Sequence, residues 1–280
     1  MVLKNWPDDT DASLSLAFAL EMDDETAQAR AMLENILQSE PNHARAKKQL
    51  GALLHDSVHE HWDEGRYDEA EGLFNEQIKL DPANFDGYKC LAELMLEDDG
   101  ADEKEVEAIM QNYLAANAGN PSAPVAVGVV FLQADHRKLA EKYFKQAEQI
   151  GGTDPAMLIA IGKAYLPVFE SKAKTYFDRA VKAAPGDAKL CFAIGTELAL
   201  EHPALSLEYL QKSLKIDGSN AEVYAEMGLL QNILGNRREA DKAWFMAKQL
   251  AGQQGNQELV KMVAAMQKEI NQLQGMFELL

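Results

Sequence analysis

The sequence predicts an all-α protein, a solenoid of stacked helix pairs closed by a terminal helix. Three observations predict it. One spacing of small, aromatic and turn residues recurs seven times along the chain. The last stretch, Asn256 to Leu280, leaves that spacing for apolar residues at alternating intervals of four and three. The composition, 47% hydrophobic and 26% charged over 280 residues, suits a soluble protein that can bury a core.

The clearest repeat runs over 221–254, with Tyr224, Met227-Gly228, Gly235, Ala240, Trp244 and Ala247. Gly228 and Ala240 are small where the two helices of a pair cross, because a larger side chain would hold them apart. Tyr224 and Trp244 fill the gaps between pairs, and Gly235 ends the first helix where a left-handed residue is needed. Earlier units follow in register. Residues 188–220 give Ile194-Gly195, Leu198, Pro203, Leu210 and Ser213; 155–187 give Ile161-Gly162, Tyr165, Ala173, Phe177, Ala180 and Pro185. Residues 121–154 give Val127-Gly128, Phe131, Ala140, Phe144 and Ala147; 85–120 give Tyr88, Leu91-Ala92, Tyr113 and Ala116. Residues 44–84 give Leu50-Gly51, Leu54, Gly65, Tyr67, Ala70, Phe74 and Pro82; 10–43 give Leu16-Ala17, Leu20, Ala29, Leu33 and Pro41. Residues 1–9, with Trp6, are expected to cover the first pair, and 255–280 to cap the last.

These residues resemble the tetratricopeptide repeat family, whose pattern also runs to about 34 residues. The resemblance implies a right-handed α-solenoid of about seven helix pairs with a C-terminal capping helix. Two units depart from the pattern. The second carries seven extra residues between Leu54 and Gly65, almost two helical turns. Its first helix can therefore lengthen without rotating its buried stripe, and Leu50, Leu54, Val58 and Trp62 continue one face. The third unit lengthens its turn with charged residues, Glu97 to Glu103, which reads as an exposed loop.

Leu259, Val263, Met266, Ile270, Leu273 and Phe277 form a heptad seam in the terminal helix. A solenoid needs such a helix over its last apolar face. This one is longer than capping requires, so the same six residues are candidates for self-association and a possible homodimer.

The net charge is −18, and all of it lies in residues 1–120, which hold 27 acids and 9 bases (9 − 27 = −18); residues 121–280 hold 18 of each. An acidic surface repels phosphate backbones and anionic lipid, so neither nucleic acid nor membrane is expected as a partner. A basic partner would be steered towards it; a solvated face that keeps the protein in solution is the plainer reading. No apolar run approaches the length of a membrane helix. No export signal is read at the start, and two distant cysteines, Cys90 and Cys191, make no disulfide framework. A cytoplasmic location is expected, and both thiols read as small buried fillers.

No phosphate loop, dinucleotide fingerprint or nucleophile elbow occurs, so no enzyme activity and no cofactor are expected. His55 and His59 stand one helical turn apart, a spacing that can chelate zinc or nickel. With no third ligand evident, the pair reads as a polar helix face and no metal is assigned.

In the family resembled, the first helix of each pair lines a concave face through its second, fifth, ninth and twelfth positions. Chaperone-binding members there carry a carboxylate clamp of Lys and Asn, then Asn, then Lys and Arg. The aligned residues are Lys48, Ala52, Cys90, Ser122 and Ala126, so one of five matches and the clamp is rejected. The groove expected instead is mostly apolar: Val125, Val129, Leu132, Ile159, Lys163, Leu166, Phe192, Thr196, Ala225 and Leu229. A frame shifted by one residue would make the same side chains inter-helix core. The function expected is a protein-interaction scaffold or chaperone-like adaptor that takes a protein or peptide client in this groove. The alternative is an assembly subunit that self-associates through the terminal helix and groove.

Overall fold

In the computed structural model the described residues, 9–97 and 103–277, form fifteen α-helices and no strand. Trp6 lies outside them, as do the acidic turn residues 98–102 and the side chains of His59, Glu97, Asn271 and residues 273–277. The chain divides into two compact units, Met1–Gly152 and Thr153–Leu280. The first holds α1 (Thr10–Met22), α2 (Thr26–Ser39), α3 (Ala44–Asp63), α4 (Tyr67–Leu80), α5 (Asp86–Glu97), α6 (Glu103–Ala116), α7 (Ser122–Gln133) and α8 (Arg137–Gly151). The second holds α9 (Pro155–Tyr165), α10 (Glu170–Ala183), α11 (Ala188–Leu198), α12 (Pro203–Ile216), α13 (Ala221–Ile233), α14 (Arg237–Gln253) and α15 (Gln257–Phe277).

Side-chain caps start several first helices. Asp154 accepts from the amides of Ala156 and Met157 with Pro155 in the first turn, Asp187 accepts from Leu190 N at 2.9 Å, and Asn220 from Glu222 N at 3.0 Å. The turns inside pairs repeat one geometry. Gly65 and Gly235 have φ of 73° and 80°, and Asp24 and Asp135 occupy the same left-handed region at 65° and 63°. In each, the next residue donates its amide back to the first helix, as Arg66 N does to His61 O and His136 N to Phe131 O, both at 2.8 Å. Aspartate tolerates this conformation better than most residues, which is why the repeat survives there without glycine.

Four pairs are then closed by a glycine under a bulky residue. A Cβ on Gly128 would lie 2.5 Å from Phe144 Cε1, on Gly162 2.6 Å from Phe177 Cε1, and on Gly195 2.5 Å from Leu210 Cδ2. At Gly228 it would run into Trp244 Cδ1. Gly51 differs: its nearest neighbour would be Leu80 Cδ2 at 3.9 Å, an ordinary contact, so the α3–α4 crossing is looser than the sequence pattern implies.

Successive second helices are tied by buried tyrosines. Tyr143 on α8 donates its hydroxyl to Glu107 on α6 at 2.8 Å, where Lys142 Nζ also reaches at 2.5 Å. On α12, Tyr209 donates to Asp178 of α10 at 3.0 Å, with Lys212 on the same carboxylate. Lys142 holds Glu107 below the usual carboxylate range, and the Tyr143 hydroxyl adds to that.

The second unit ends on a cap. Leu259 and Val263 of α15 are buried in one cluster with Ala221, Ala225, Ala240, Trp244, Ala247 and Ala251, and Met266 and Ile270 pack against it.

Candidate partner-binding surfaces

The long helix expected in the second repeat is present. α3 spans 20 residues, whereas α5 and α7 span 12 each. Leu50, Leu54 and Val58 are buried along it, while Trp62 at its end is half-buried and meets Phe74 edge-on at 6.4 Å.

The end of α3, with α4, α5 and α7, bounds a cavity of about 620 Å³ within the first unit. Its wall is Trp62 and Asp63 of α3, Phe74 of α4, Cys90, Glu93 and Leu96 of α5, and Val130, Gln133 and Ala134 at the end of α7. Cys90 is therefore not the buried filler expected from the sequence; it is half-buried at this cavity, whereas Cys191 is fully buried. Burial pushes the Cys90 thiol up, and the charge of Glu93 pushes it further. Sequence reasoning treated Trp62, Phe74 and Cys90 as core and missed the cavity. The one signal that could have found it was the seven-residue excess in α3.

The expected groove residues separate into three groups. Val125 and Leu132 of the first unit and Ala225 of the second are buried. Val129 in the first unit, and Ile159, Leu166, Phe192 and Leu229 in the second, are half-buried. Lys163 and Thr196 are exposed: Lys163 pairs with Glu197 at 2.5 Å, and Thr196 Oγ1 donates to Phe192 O at 2.7 Å. Near Leu229 on the same face of α13, burial raises the carboxyl of Glu226.

The self-association candidates are placed on the chain's own last pair as far as Ile270, as the cap cluster shows. The side chains of Leu273 and Phe277 lie outside the described residues. His55 is half-buried, 3.5 Å from Asp56 Oδ1, and the side chain of His59 lies outside the description. Among the described residues no group of three or more His, Cys, Asp or Glu is arranged to hold a metal ion. Nor is any described helix long and apolar enough to cross a membrane.

In four consecutive pairs a first-helix glycine meets a bulky second-helix residue fifteen or sixteen positions later (128 with 144, 162 with 177, 195 with 210, 228 with 244). The fold is a tetratricopeptide-type helical repeat. No protein-family model and no curated protein matches the sequence. Solved tetratricopeptide structures are similar to it at a distance. YrrB, described as a tetratricopeptide protein with an unusual peptide-binding site, is 19% identical over 69% of this chain and 97% of its own, with a TM-score of 0.36. A tetratricopeptide repeat protein from Parabacteroides merdae is 14% identical over 91% of this chain and 98% of its own, with a TM-score of 0.36. MamA is 16% identical over 60% of this chain and 94% of its own, with a TM-score of 0.37. At such scores the assignment of the tetratricopeptide-type fold rests on the chain's own repeat geometry.

Proposed function

We propose that the chain is a non-enzymatic protein-interaction scaffold, a chaperone-like adaptor that takes a client segment along its first helices. The observation that carries this reading is the half-buried set Ile159, Leu166, Phe192 and Leu229 in the second unit. The fully buried core of the same helices is built of other residues, Leu158, Ile161, Tyr165, Cys191, Ile194, Leu198 and Leu230; Phe192 also packs one side against the cluster of Leu207, Leu210, Val223 and Leu230. Large apolar side chains left partly in water beside a complete core favour a partner that removes them from it. The acid excess of residues 1–120 supports steering of a basic client. Capture by the heptad seam is less favoured, since its first four positions already lie against Trp244 and its neighbours.

The test pairs urea midpoints with the affinity of fluorescent amphipathic peptides, for wild type, Ile159→Ser and Phe192→Ser. Weakening of binding by about tenfold or more, with little change in midpoint, is expected for surface anchors. A large midpoint loss would place these residues in the inter-helix core and remove the groove. Peptide binding that neither substitution weakens would also count against it.

A further inference from the structure

We propose that the cavity at the end of α3 is an anchor pocket for a basic partner segment, one that presents large apolar side chains next to lysine or arginine. The proposal rests on the scaffold reading but uses residues of the first unit, distinct from Ile159 and Phe192.

The pocket lies at the end of the overlong helix. α3 has 20 residues against 12 in α5 and in α7, and its last two, Trp62 and Asp63, line the space between it and those helices. What remains is about 620 Å³, inside the roughly 300–1,000 Å³ typical of ligand pockets. Its chemistry is two-sided. Trp62, Phe74, Leu96 and Val130 present carbon, which favours an aliphatic or aromatic guest. Asp63 and Glu93 line the same cavity. Asp63 is exposed and has no ion-pair partner among the described residues; Glu93 meets only Lys89, at 3.7 Å, with both side chains well exposed, a pair too weak to neutralise it. Carboxylates beside apolar walls concentrate field into the cavity and favour a cation there. The surrounding sequence has the same sign, with 27 acids to 9 bases in residues 1–120.

Those features together favour one occupant over simpler ones. An acidic ligand would be repelled by both carboxylates. A hydrophilic polycation would leave the aromatic wall unused, and a neutral apolar molecule would gain nothing from the carboxylates. A peptide that alternates leucine with lysine satisfies both halves.

Cys90 supplies the reporter. Only two cysteines exist, and Cys191 is fully buried, so a thiol reagent addresses Cys90. The experiment measures the rate of Cys90 alkylation by N-ethylmaleimide on the full chain, with a short leucine–lysine peptide as probe. Control peptides replace each Leu with Gln or each Lys with Glu. The leucine–lysine peptide is expected to slow alkylation about tenfold or more, as burial of a central anchor would, and the controls to leave the rate unchanged. Asp63→Lys with Glu93→Lys is expected to weaken the peptide by at least about tenfold with the thermal midpoint unchanged, while Ile159→Ser leaves protection of Cys90 intact. The proposal is overturned if the glutamine control protects equally, if charge reversal changes nothing, or if no peptide protects. Binding that Ile159→Ser abolishes, with Cys90 still reactive, would sink the pocket and leave the scaffold standing. A rise in molar mass by light scattering that the charge reversal removes would mean a second copy fills the cavity, and would equally overturn the proposal.

Discussion

A methyl group added at Gly162 would lie 2.6 Å from Phe177 Cε1, but at Gly51 the nearest atom, Leu80 Cδ2, is 3.9 Å away. The two glycines look alike in the sequence, each closing an apolar-Gly pair, because spacing reports register and not distance. They should therefore respond oppositely. Gly162→Ala is expected to lower stability by about 1–3 kcal/mol through overpacking, whereas Gly51→Ala should raise it by up to about 1 kcal/mol through helix propensity. Urea midpoints for both variants check this, and two losses of equal size would contradict the looser α3–α4 crossing. Glu107 gives a residue-scale prediction in pH. Its folded-state affinity for protons is lowered by Lys142 and Tyr143, so its contribution is present at neutral pH, above the unfolded pKa. That contribution is lost as pH falls through the folded value, below the ordinary carboxylate range. The midpoint difference between wild type and Glu107→Gln should accordingly shrink from pH 7 to strongly acid solution; a difference that grows would mean that the carboxylate is not held by these donors.

At the scale of helices, α3 and α15 show what periodicity can and cannot say. The stripe Leu50, Leu54, Val58 marks a buried face, and all three are buried. Val58→Asp should cost a few kcal/mol by burying an unpaired charge, while Ala52→Asp, on the exposed side of the same helix, should cost about 0.5 kcal/mol or less. Equal losses in thermal denaturation would show the face to be misassigned. In α15 the seam was legible as an apolar line, but a line does not name its partner. The structure sets Leu259 and Val263 against Trp244, because the open side of the last pair offers the nearest apolar surface. The hollow at the end of α3 was hidden for a related reason: the sequence records how long a helix is, but the hollow depends on which other helices are brought beside it.

For the whole molecule, the fold class was legible because the repeat states one geometry seven times, and each copy corrects errors in reading the others. The division into two compact units was not legible, since no composition change marks Gly152. Repeats contact mainly their neighbours, so unfolding need not be a single transition. Trp62 belongs to the first unit and Trp244 to the second. In variants that keep one tryptophan at a time, Gly162→Ala, whose clash is with Phe177 of the second unit, should move the urea midpoint reported by Trp244 more than the one reported by Trp62; equal shifts would mean that the units unfold together. The cap carries a further consequence, in time. During synthesis the cluster around Trp244 exists before the helix that covers it. At about 5–20 residues per second, the 21 residues of α15 take roughly one to four seconds to be made. Until α15 has been made and released, the cluster around Trp244 lacks the helix that covers it, so the last pair is the last part of the second unit to complete its core.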